Sequence, residues 1–176
     1  AIHKANVLRL TDGIFLKACR KISKHYPEIE YHEMLVDAAT AHMVRKPEQF
    51  DVLITTNMFG DILSDLASEL SGSLGLSGSL NVGDTIPMAQ AQHGAAIDIM
   101  NKGIANPISL IFSVAMLLKW LGKQKCQMEY IKANELVFKV IENILEKNKY
   151  LTPDLGGTSS SQTLTDHIID KIENYE

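Results

Sequence analysis

Residues 50–70 read FDVLITTNMFGDILSDLASEL, in which an apolar run is followed by a helical pattern. Its first part, Phe50–Thr56, is a continuous apolar and β-branched run, which is typical of a buried strand. Its second part predicts a helix over Asp61–Leu70, which begins soon after the strand ends. A further strand at Ile29–Val36 and a helix at Ala38–Arg45 lie upstream. Because strands and helices alternate in this way, the sequence predicts an α/β protein.

The composition excludes several classes of protein. The chain has 176 residues, of which 45% are hydrophobic and 22% charged, as expected of one ordinary globular domain. Its net charge of −4 does not indicate a basic surface, so we expect neither a nucleic-acid nor a membrane partner. Cys19 and Cys126 are too few for a disulfide framework and fit a reducing compartment. We expect a cytoplasmic protein, or one of the mitochondrial matrix if the source is a eukaryote.

The second half of the chain opens with a glycine- and serine-rich segment, SGSLGLSGSLNVG, over residues 71–83. It is either a flexible connection or a crossover between domains. Three helices are predicted after it, over Ser109–Leu121, Glu129–Lys147 and Leu164–Tyr175. The first is apolar nearly all round, which indicates a buried helix, and Gly122 is placed to end it. Thr163 is placed to cap the last.

The pair Asp61 and Asp65 is the strongest candidate for chemistry that the residues alone provide. The two are four apart on one predicted helix, so their carboxylates share a face and repel each other. A bound Mg²⁺ or Mn²⁺ would turn that repulsion into attraction. The alternative is a solvated helix face, helped by the helix dipole near Asp61. The position after a buried strand favours the metal site, because sites in α/β proteins collect at the carboxyl ends of strands.

Three other positions are open to two interpretations. Lys4 lies between His3 and Asn6, whose side chains could hold it in place, although a lysine is usually exposed. Asp37 stands at the end of a predicted strand, where an aspartate is more often a helix cap than a metal ligand. Residues 93–98 form a loop of small side chains that lets backbone approach a ligand closely, and Asp98 could accept both hydroxyls of a ribose. As an isolated motif, this loop favours a polar surface loop over a binding site.

Five segments of the chain, taken in order, resemble one known family. They are HKANVLRLTDGIF, FDVLITTNMFGDILSDL, QHGAAIDI, KGIANP and TPDLGG. The resemblance is to the metal-dependent β-decarboxylating dehydrogenases, the isocitrate/isopropylmalate dehydrogenase family, and it covers essentially the whole chain. It implies the α/β fold of that family, incomplete because the N-terminal part of the large domain is absent. It also implies a small-domain segment at 1–71, with dimer interface and metal site, and the C-terminal part of the cofactor-binding large domain at 72–176.

The resemblance assigns roles to four of these residues. Lys4 matches the catalytic lysine, which reaches into the partner subunit's active site. Asp37 matches an acidic residue supplied to that same site, where it serves catalysis as a metal ligand. Asp61 and Asp65 match the pair on the other subunit that holds Mg²⁺ or Mn²⁺. We therefore expect a homodimer or a higher oligomer whose active sites are shared between subunits.

The resemblance also implies a nicotinamide cofactor. The positions that match cofactor-binding residues are His93, Gly94, Ala95, Ala96, Asp98 and Asn106. Asn106 matches a residue that contacts adenine. Asp98 followed by Ile99 resembles the NAD-selective pattern, since NADP enzymes carry a Lys-Tyr pair there, whose cation receives the 2′-phosphate. Gln90, Ile97 and Met100-Asn101 differ from the residues usual in the family; these differences touch the cofactor loop and remove no metal ligand.

The implied activity is NAD-dependent oxidative decarboxylation of a 2-hydroxy acid with a β-carboxylate, a small hydroxy-dicarboxylate or tricarboxylate. The HKANVL segment resembles the isocitrate and homoisocitrate branches, so isocitrate is expected as substrate, with homoisocitrate or 3-isopropylmalate as the alternative. The family's proton-donating tyrosine and substrate-binding arginines lie upstream of the lysine segment. We therefore expect the isolated 176-residue chain to be inactive. The alternative class of function is a truncated, non-catalytic assembly or regulatory subunit.

Overall fold

The computed structural model describes residues 1–175, which separate into two compact units. Unit 1 is Ala1–Leu70, and unit 2 begins at Ser71. Both combine helices with short strands, in line with a mixed α/β chain. That these units are the small-domain and cofactor-domain segments implied by the resemblance stays a prediction.

Unit 1 is a small α/β unit in which strands are short and helices long. Its elements are β1 (Ile2–His3), α1 (Thr11–Ser23), β2 (Met34–Leu35), α2 (Val36–Arg45), a 3₁₀ turn (Pro47–Gln49) and α3 (Asn57–Leu70). Strands β1 and β2 pair in parallel, with Ile2 opposite Met34. The core consists of Ile2, Ala39, Met43 and Leu63, so β1, α2 and α3 pack together on their apolar sides.

The strand predicted over Phe50–Thr56 is absent, and this prediction was wrong for the structure described. The segment has no regular secondary structure, and Val52 is 79% exposed. A strand needs a ladder of hydrogen bonds to a neighbour. Among residues 1–175, the only sheet-like bond to this segment joins the Ile2 N–H to the Ile54 carbonyl, at 2.8 Å. The strand predicted over Ile29–Val36 likewise shortens to β2, because α2 begins at Val36.

Unit 2 packs three long helices on one another and on a hairpin. Its elements are a 3₁₀ turn (Leu74–Leu76), β3 (Gly78–Val82), β4 (Pro87–Ala91), a 3₁₀ turn (Ile97–Ile99), α4 (Ile108–Lys125), α5 (Met128–Lys147), a 3₁₀ turn (Pro153–Leu155) and α6 (Ser161–Glu173). The strands β3 and β4 pair antiparallel. The glycine- and serine-rich segment is therefore ordered: Leu74–Leu76 forms a 3₁₀ turn, and Gly78–Val82 is one strand of this hairpin. The core residues are Ile108, Phe112, Val140, Ile141, Ile144, Leu151, Leu164 and Ile168.

Two residues that were predicted to end or to cap a helix have other roles. Gly122 lies inside α4, which continues to Lys125 and ends with Cys126 in the left-handed region at φ 53°. A Cβ on Gly122 would lie 2.8 Å from Ile131 Cγ1, so this glycine lets α4 and α5 approach closely instead of ending a helix. The last helix is capped by Ser160, whose Oγ accepts the Thr163 N–H at 3.1 Å, and not by Thr163.

Within residues 1–175, none of the helices combines the length and the apolar character that crossing a membrane requires.

Candidate active site

Lys4 and Asp37 are brought into direct contact in unit 1. Lys4 directly follows β1, and Asp37 lies in the first turn of α2, just after β2. Because β1 and β2 run parallel, their carboxyl ends lie at the same edge, and Lys4 Nζ donates to Asp37 Oδ1 at 2.7 Å. This hydrogen bond holds the pKa of Asp37 below its usual value. The pair stays accessible, since the two side chains are 25% and 66% exposed.

A buried carboxylate that the sequence did not reveal fixes the backbone of Lys4. The Lys4 N–H donates to Asp12 Oδ2 at 2.6 Å, and Asp12 is only 3% exposed. On its other side, the Lys4 carbonyl accepts the N–H groups of Val7 at 2.9 Å and Leu8 at 2.8 Å. Lys4 is therefore anchored through both of its backbone groups. The two residues are eight apart, which is beyond the i,i+3 and i,i+4 neighbours that contact each other on a helix, so local spacing did not signal this contact.

Asp61 and Asp65 lie on α3, which begins at Asn57, earlier than predicted. Both are exposed, and they are one helical turn apart on one face. Among the described residues, no group of three or more His, Cys, Asp or Glu side chains is placed to hold a metal ion. One chain therefore does not assemble Asp37 with Asp61 and Asp65. The oxygen donors fit Mg²⁺ or Mn²⁺ in chemistry, and the remaining ligands would have to come from outside this set.

The loop predicted to bind the cofactor, residues 93–98, follows β4 in unit 2 and is exposed throughout. Ala96 adopts the left-handed region at φ 44°, and a Cβ on Gly94 would meet nothing within 4 Å. The loop ends in the 3₁₀ turn that contains Asp98. Its small side chains leave the backbone accessible, so there is room for a dinucleotide to approach the loop closely.

Two buried serines of α4, which the sequence did not single out, hold the base of this loop. Ser109 Oγ accepts the Gln92 N–H at 3.2 Å, next to the first loop residue. Ser113 Oγ accepts the Ser79 N–H at 2.9 Å and donates to the Gln90 carbonyl at 2.7 Å. Both serines are fully buried. The hairpin and the entry to the loop are therefore fixed on α4.

Asn106 faces the interior of unit 2 and is only 8% exposed. Its Nδ2 donates to Asp154 Oδ2 at 2.9 Å, and its Oδ1 accepts the Ile108 N–H at 3.0 Å. Ser73 Oγ donates to the same Asp154 oxygen at 2.7 Å. We call Ser73, Asn106 and Asp154 the Asp154 cluster. The adenine contact of Asn106 stays a prediction, but its side chain is already committed to partners within the protein.

The Asp154 cluster is tightly packed. A Cβ on Gly75 would lie 2.7 Å from both Asn106 Cβ and Asp154 Oδ2. Partial burial raises the pKa of Asp154, but the hydrogen bonds that its carboxylate accepts, led by the one from Ser73, outweigh burial and hold the pKa below its usual value. The carboxylate is thus kept charged and oriented towards Asn106.

Several known proteins are similar to this chain in sequence or in structure. The chain is 44% identical over 171 residues to the 3-isopropylmalate dehydrogenase of Sulfurisphaera tokodaii, covering 97% of this chain and 50% of that protein. It is 46% identical over 171 residues to the homoisocitrate dehydrogenase of Methanocaldococcus jannaschii, covering 97% and 47%. The crystal structure of isocitrate dehydrogenase from Methylococcus capsulatus superposes with a TM-score of 0.92 at 40% identity, covering 98% and 50%.

The chain thus spans about half the length of the curated relatives that it matches. Their names cover three different substrates, so similarity alone does not select one. The profile described as isocitrate/isopropylmalate dehydrogenase matches residues 1–172, which is nearly all of the chain. This protein therefore belongs to the isocitrate/isopropylmalate dehydrogenase family.

Proposed function

We propose that this chain carries the metal- and cofactor-binding residues of an NAD-dependent enzyme that oxidatively decarboxylates a 2-hydroxy acid with a β-carboxylate. The observation that carries the proposal is the ion pair of Lys4 with Asp37 at 2.7 Å, on a backbone anchored by Asp12. A lysine that is fixed in place and still partly exposed suits the handling of a proton on a substrate hydroxyl.

Lys4 would act in this scheme as the group that moves a proton. Its Nζ lies 2.7 Å from Asp37 Oδ1, and its backbone is anchored from both sides. Fixed geometry of this kind raises the rate of a proton transfer by keeping the two reacting groups in line. Asp37 then has two roles: it orients Lys4 and offers its second oxygen to a cation.

The metal site would be shared between two chains. Asp61 and Asp65 of one subunit and Asp37 of its partner would hold Mg²⁺ or Mn²⁺, in keeping with the lack of a complete ligand set among the described residues of one chain. When bound, the cation supplies a Lewis acid that stabilises negative charge on substrate oxygen. On α3, Met58 and Ile62 are 58% and 57% exposed, and apolar exposure of this kind beside the aspartates suits an interface.

NAD is the dinucleotide that the cofactor loop favours. Asp98 is exposed at the end of the loop, where a carboxylate can accept the two hydroxyls of the adenosine ribose. The same negative charge repels the 2′-phosphate of NADP. The positions after Asp98 hold Ile99 and Met100, so no cation stands directly beside it in sequence to receive that phosphate.

Isocitrate is the substrate we propose, with homoisocitrate as the second candidate. The support is the segment HKANVL at residues 3–8, which resembles the branches of the family that act on these tricarboxylates. The activity is tested as NADH formation by the whole product of the gene that encodes this chain. Isocitrate should support faster turnover than homoisocitrate or 3-isopropylmalate. No turnover with any of the three would favour the non-catalytic subunit instead.

The metal site can be tested on the chain itself. Calorimetric titration with Mn²⁺ should show binding to the unaltered protein and at least about tenfold weaker binding to Asp61→Asn and to Asp65→Asn, since each loses a charged ligand. Asp51→Asn, a change of an exposed aspartate in the same unit, is the matched control and should leave binding unchanged. Equal Mn²⁺ affinity of all four proteins would indicate that Asp61 and Asp65 form a solvated helix face that binds no metal.

A further inference from the structure

Unit 2 contains a cavity that the proposed function does not use. The cavity has a volume of about 690 Å³, which is within the range of pockets that take small organic molecules. It is formed by one face of α4, one face of α5 and Leu80 of β3. None of the residues that line it is among those assigned above to metal or cofactor binding. Its lining is therefore free to serve a ligand of its own.

The floor of the cavity is apolar and partly aromatic. Met116 and Trp120, one turn apart on α4, line it from one side, and Phe138 of α5 lines it from the other. Phe138 also stacks on the core residue Phe112, with ring centroids 4.3 Å apart, so its ring is held in place. Aromatic rings and a thioether sulfur make favourable contacts with a further aromatic ring. The floor therefore suits a flat aromatic body.

A buried amide in the cavity wall lacks a hydrogen-bond partner. Asn134 of α5 is only 4% exposed and lines the cavity. Within residues 1–175, its side chain makes no hydrogen bond. A buried amide without a partner costs free energy, so such groups are rare in folded proteins. The amide atoms of Asn134 are not completely enclosed by protein, and the cavity is where they can meet a ligand.

The charged residues at the rim favour an anion. Lys119 and Lys123 are four apart on α4, so their like charges repel each other. Neither forms an ion pair in the part of the chain that the structure describes. On the α5 side, Lys139 lies one turn from both Glu135 and Glu142, so the charges there largely offset one another. An anionic group beside the α4 rim would relieve the repulsion between the two lysines.

We propose that this cavity binds a small aromatic carboxylate. Its ring lies against Trp120 and Phe138, and its carboxylate meets Lys119 and Lys123. A donor or acceptor group on the ring bonds to the amide of Asn134, which then has the partner that the protein does not supply. The apolar floor, the buried amide and the basic rim each account for one part of this ligand.

The test uses two dyes that differ in one charged group. Anilinonaphthalene sulfonate has an aromatic body, an N–H group and an anionic sulfonate that stands in for the carboxylate. N-phenylnaphthylamine is the same molecule without the sulfonate. Trp120 is the only tryptophan of the chain, so quenching of its fluorescence reports binding at this cavity. The 176-residue chain should bind the anionic dye at one site, about fivefold more tightly than the neutral dye.

Changes of single lysines separate the rim from the rest of the surface. Lys119→Gln and Lys123→Gln should each weaken binding of the anionic dye about threefold and leave binding of the neutral dye unchanged. Lys132→Gln is the matched control, because Lys132 is an exposed lysine of α5 that does not line the cavity. It should change neither affinity.

Asn134→Leu tests the amide and has a second readout. Leucine is similar in shape but cannot hydrogen-bond, so both dyes, which share the N–H group, should bind about threefold more weakly. The same variant should unfold at a higher urea concentration, because it no longer buries an amide without a partner. A lower urea midpoint would contradict the role given to Asn134, since it would mean that the amide stabilises the fold.

Two other results would overturn the proposal. Equal affinity of the unaltered chain for the two dyes, or the absence of binding, would show that the cavity does not select an aromatic anion. A change in Trp120 fluorescence with protein concentration, in the absence of dye, would indicate that a second copy of the chain covers the cavity. Neither result bears on the proposed function, which is tested separately by NADH formation and Mn²⁺ binding.

Discussion

The two units of this protein use polar side chains in opposite ways. In unit 1, Asp37, Asp61 and Asp65 are exposed, and only the supporting carboxylate of Asp12 is buried. In unit 2, Asn106 is buried and paired within the protein before any ligand is considered. The first arrangement offers charges that a cation and a second subunit would complete. The second resembles a site whose geometry is set in advance by the fold.

The hydrophobic cores of the two units also differ in size. Four buried residues make the core of unit 1, and eight make that of unit 2. Substitutions of the exposed aspartates of unit 1 should therefore change binding with little effect on folding. Substitutions around the Asp154 cluster and the neighbouring loops should affect both. Matched substitutions in each unit test this difference.

The largest expected effect is that of Gly157→Ala in unit 2. A Cβ at this position would lie 1.9 Å from the Leu151 carbonyl oxygen, so the loop after α5 must move. We expect a loss of about 3 kcal/mol in the free energy of unfolding, measured with urea. Gly13→Ala in α1 is the matched change in unit 1, with nothing within 4 Å of the new methyl group. It should stabilise the protein by about 0.5 kcal/mol; a loss there comparable to that of Gly157→Ala would refute the contrast.

A smaller loss is expected from Asp12→Ala in unit 1. The substitution removes the acceptor of the Lys4 N–H and leaves that group without its partner. Urea unfolding should show a loss of about 2 kcal/mol. Asp51→Ala, which removes an exposed carboxylate from the same unit, should be close to neutral. If the two variants were equally stable, Asp12 would not be the anchor of Lys4.

The smallest effect concerns the ion pair that joins α1 to the segment before β2. Arg20 donates from Nε and Nη2 to the two oxygens of Glu33, each at 2.6 Å, and this contact lowers the pKa of Glu33. A carboxyl whose pKa is lowered in the folded state adds stability above its ordinary pKa of 4.5, and loses it as the pH falls through the folded value.

Glu33→Gln should therefore lower the melting temperature slightly at neutral pH. The difference from the unaltered protein should shrink as the pH falls below the ordinary glutamate pKa, because both proteins then lack the charge. Thermal melts across this range check the sign. A difference that grows towards acid pH would mean that the carboxylate is not stabilised by Arg20.

Local patterns predicted some of these features well. The spacing of apolar residues predicts α3, α4 and α5, because a helix face repeats along the chain, but α4 is less buried than predicted, since Leu110 and Val114 are 51% and 45% exposed. The order of motifs was sufficient to identify the family, which the profile over residues 1–172 confirms. The proximity of Lys4 and Asp37 follows from the pairing of β1 with β2, and their catalytic roles stay a prediction.

Features that depend on distant contacts were missed. Ser73 and Asn106 reach Asp154 from 81 and 48 residues away, and no period connects such positions. Gly122 has the composition signal of a helix end, yet it lies at a close approach of α4 to α5. The apolar run at 50–56 has a strand's sequence but lacks a neighbouring ladder among the described residues. In each case, a partner elsewhere in the fold decides the outcome.

In the proposed function, two chains share one metal site, with Asp37 from one and Asp61 and Asp65 from the other. Mixing two variants, each of which lacks a different part of the metal site, tests this directly: Asp37→Asn chains and chains that carry both Asp61→Asn and Asp65→Asn. Each variant alone should bind Mn²⁺ at least about tenfold more weakly than the unaltered protein. After unfolding and refolding together, half of the dimers are mixed, and one of the two sites in each is intact. Calorimetry should then recover about one quarter of the tight sites. A mixture that binds no better than the average of its components would contradict the shared site.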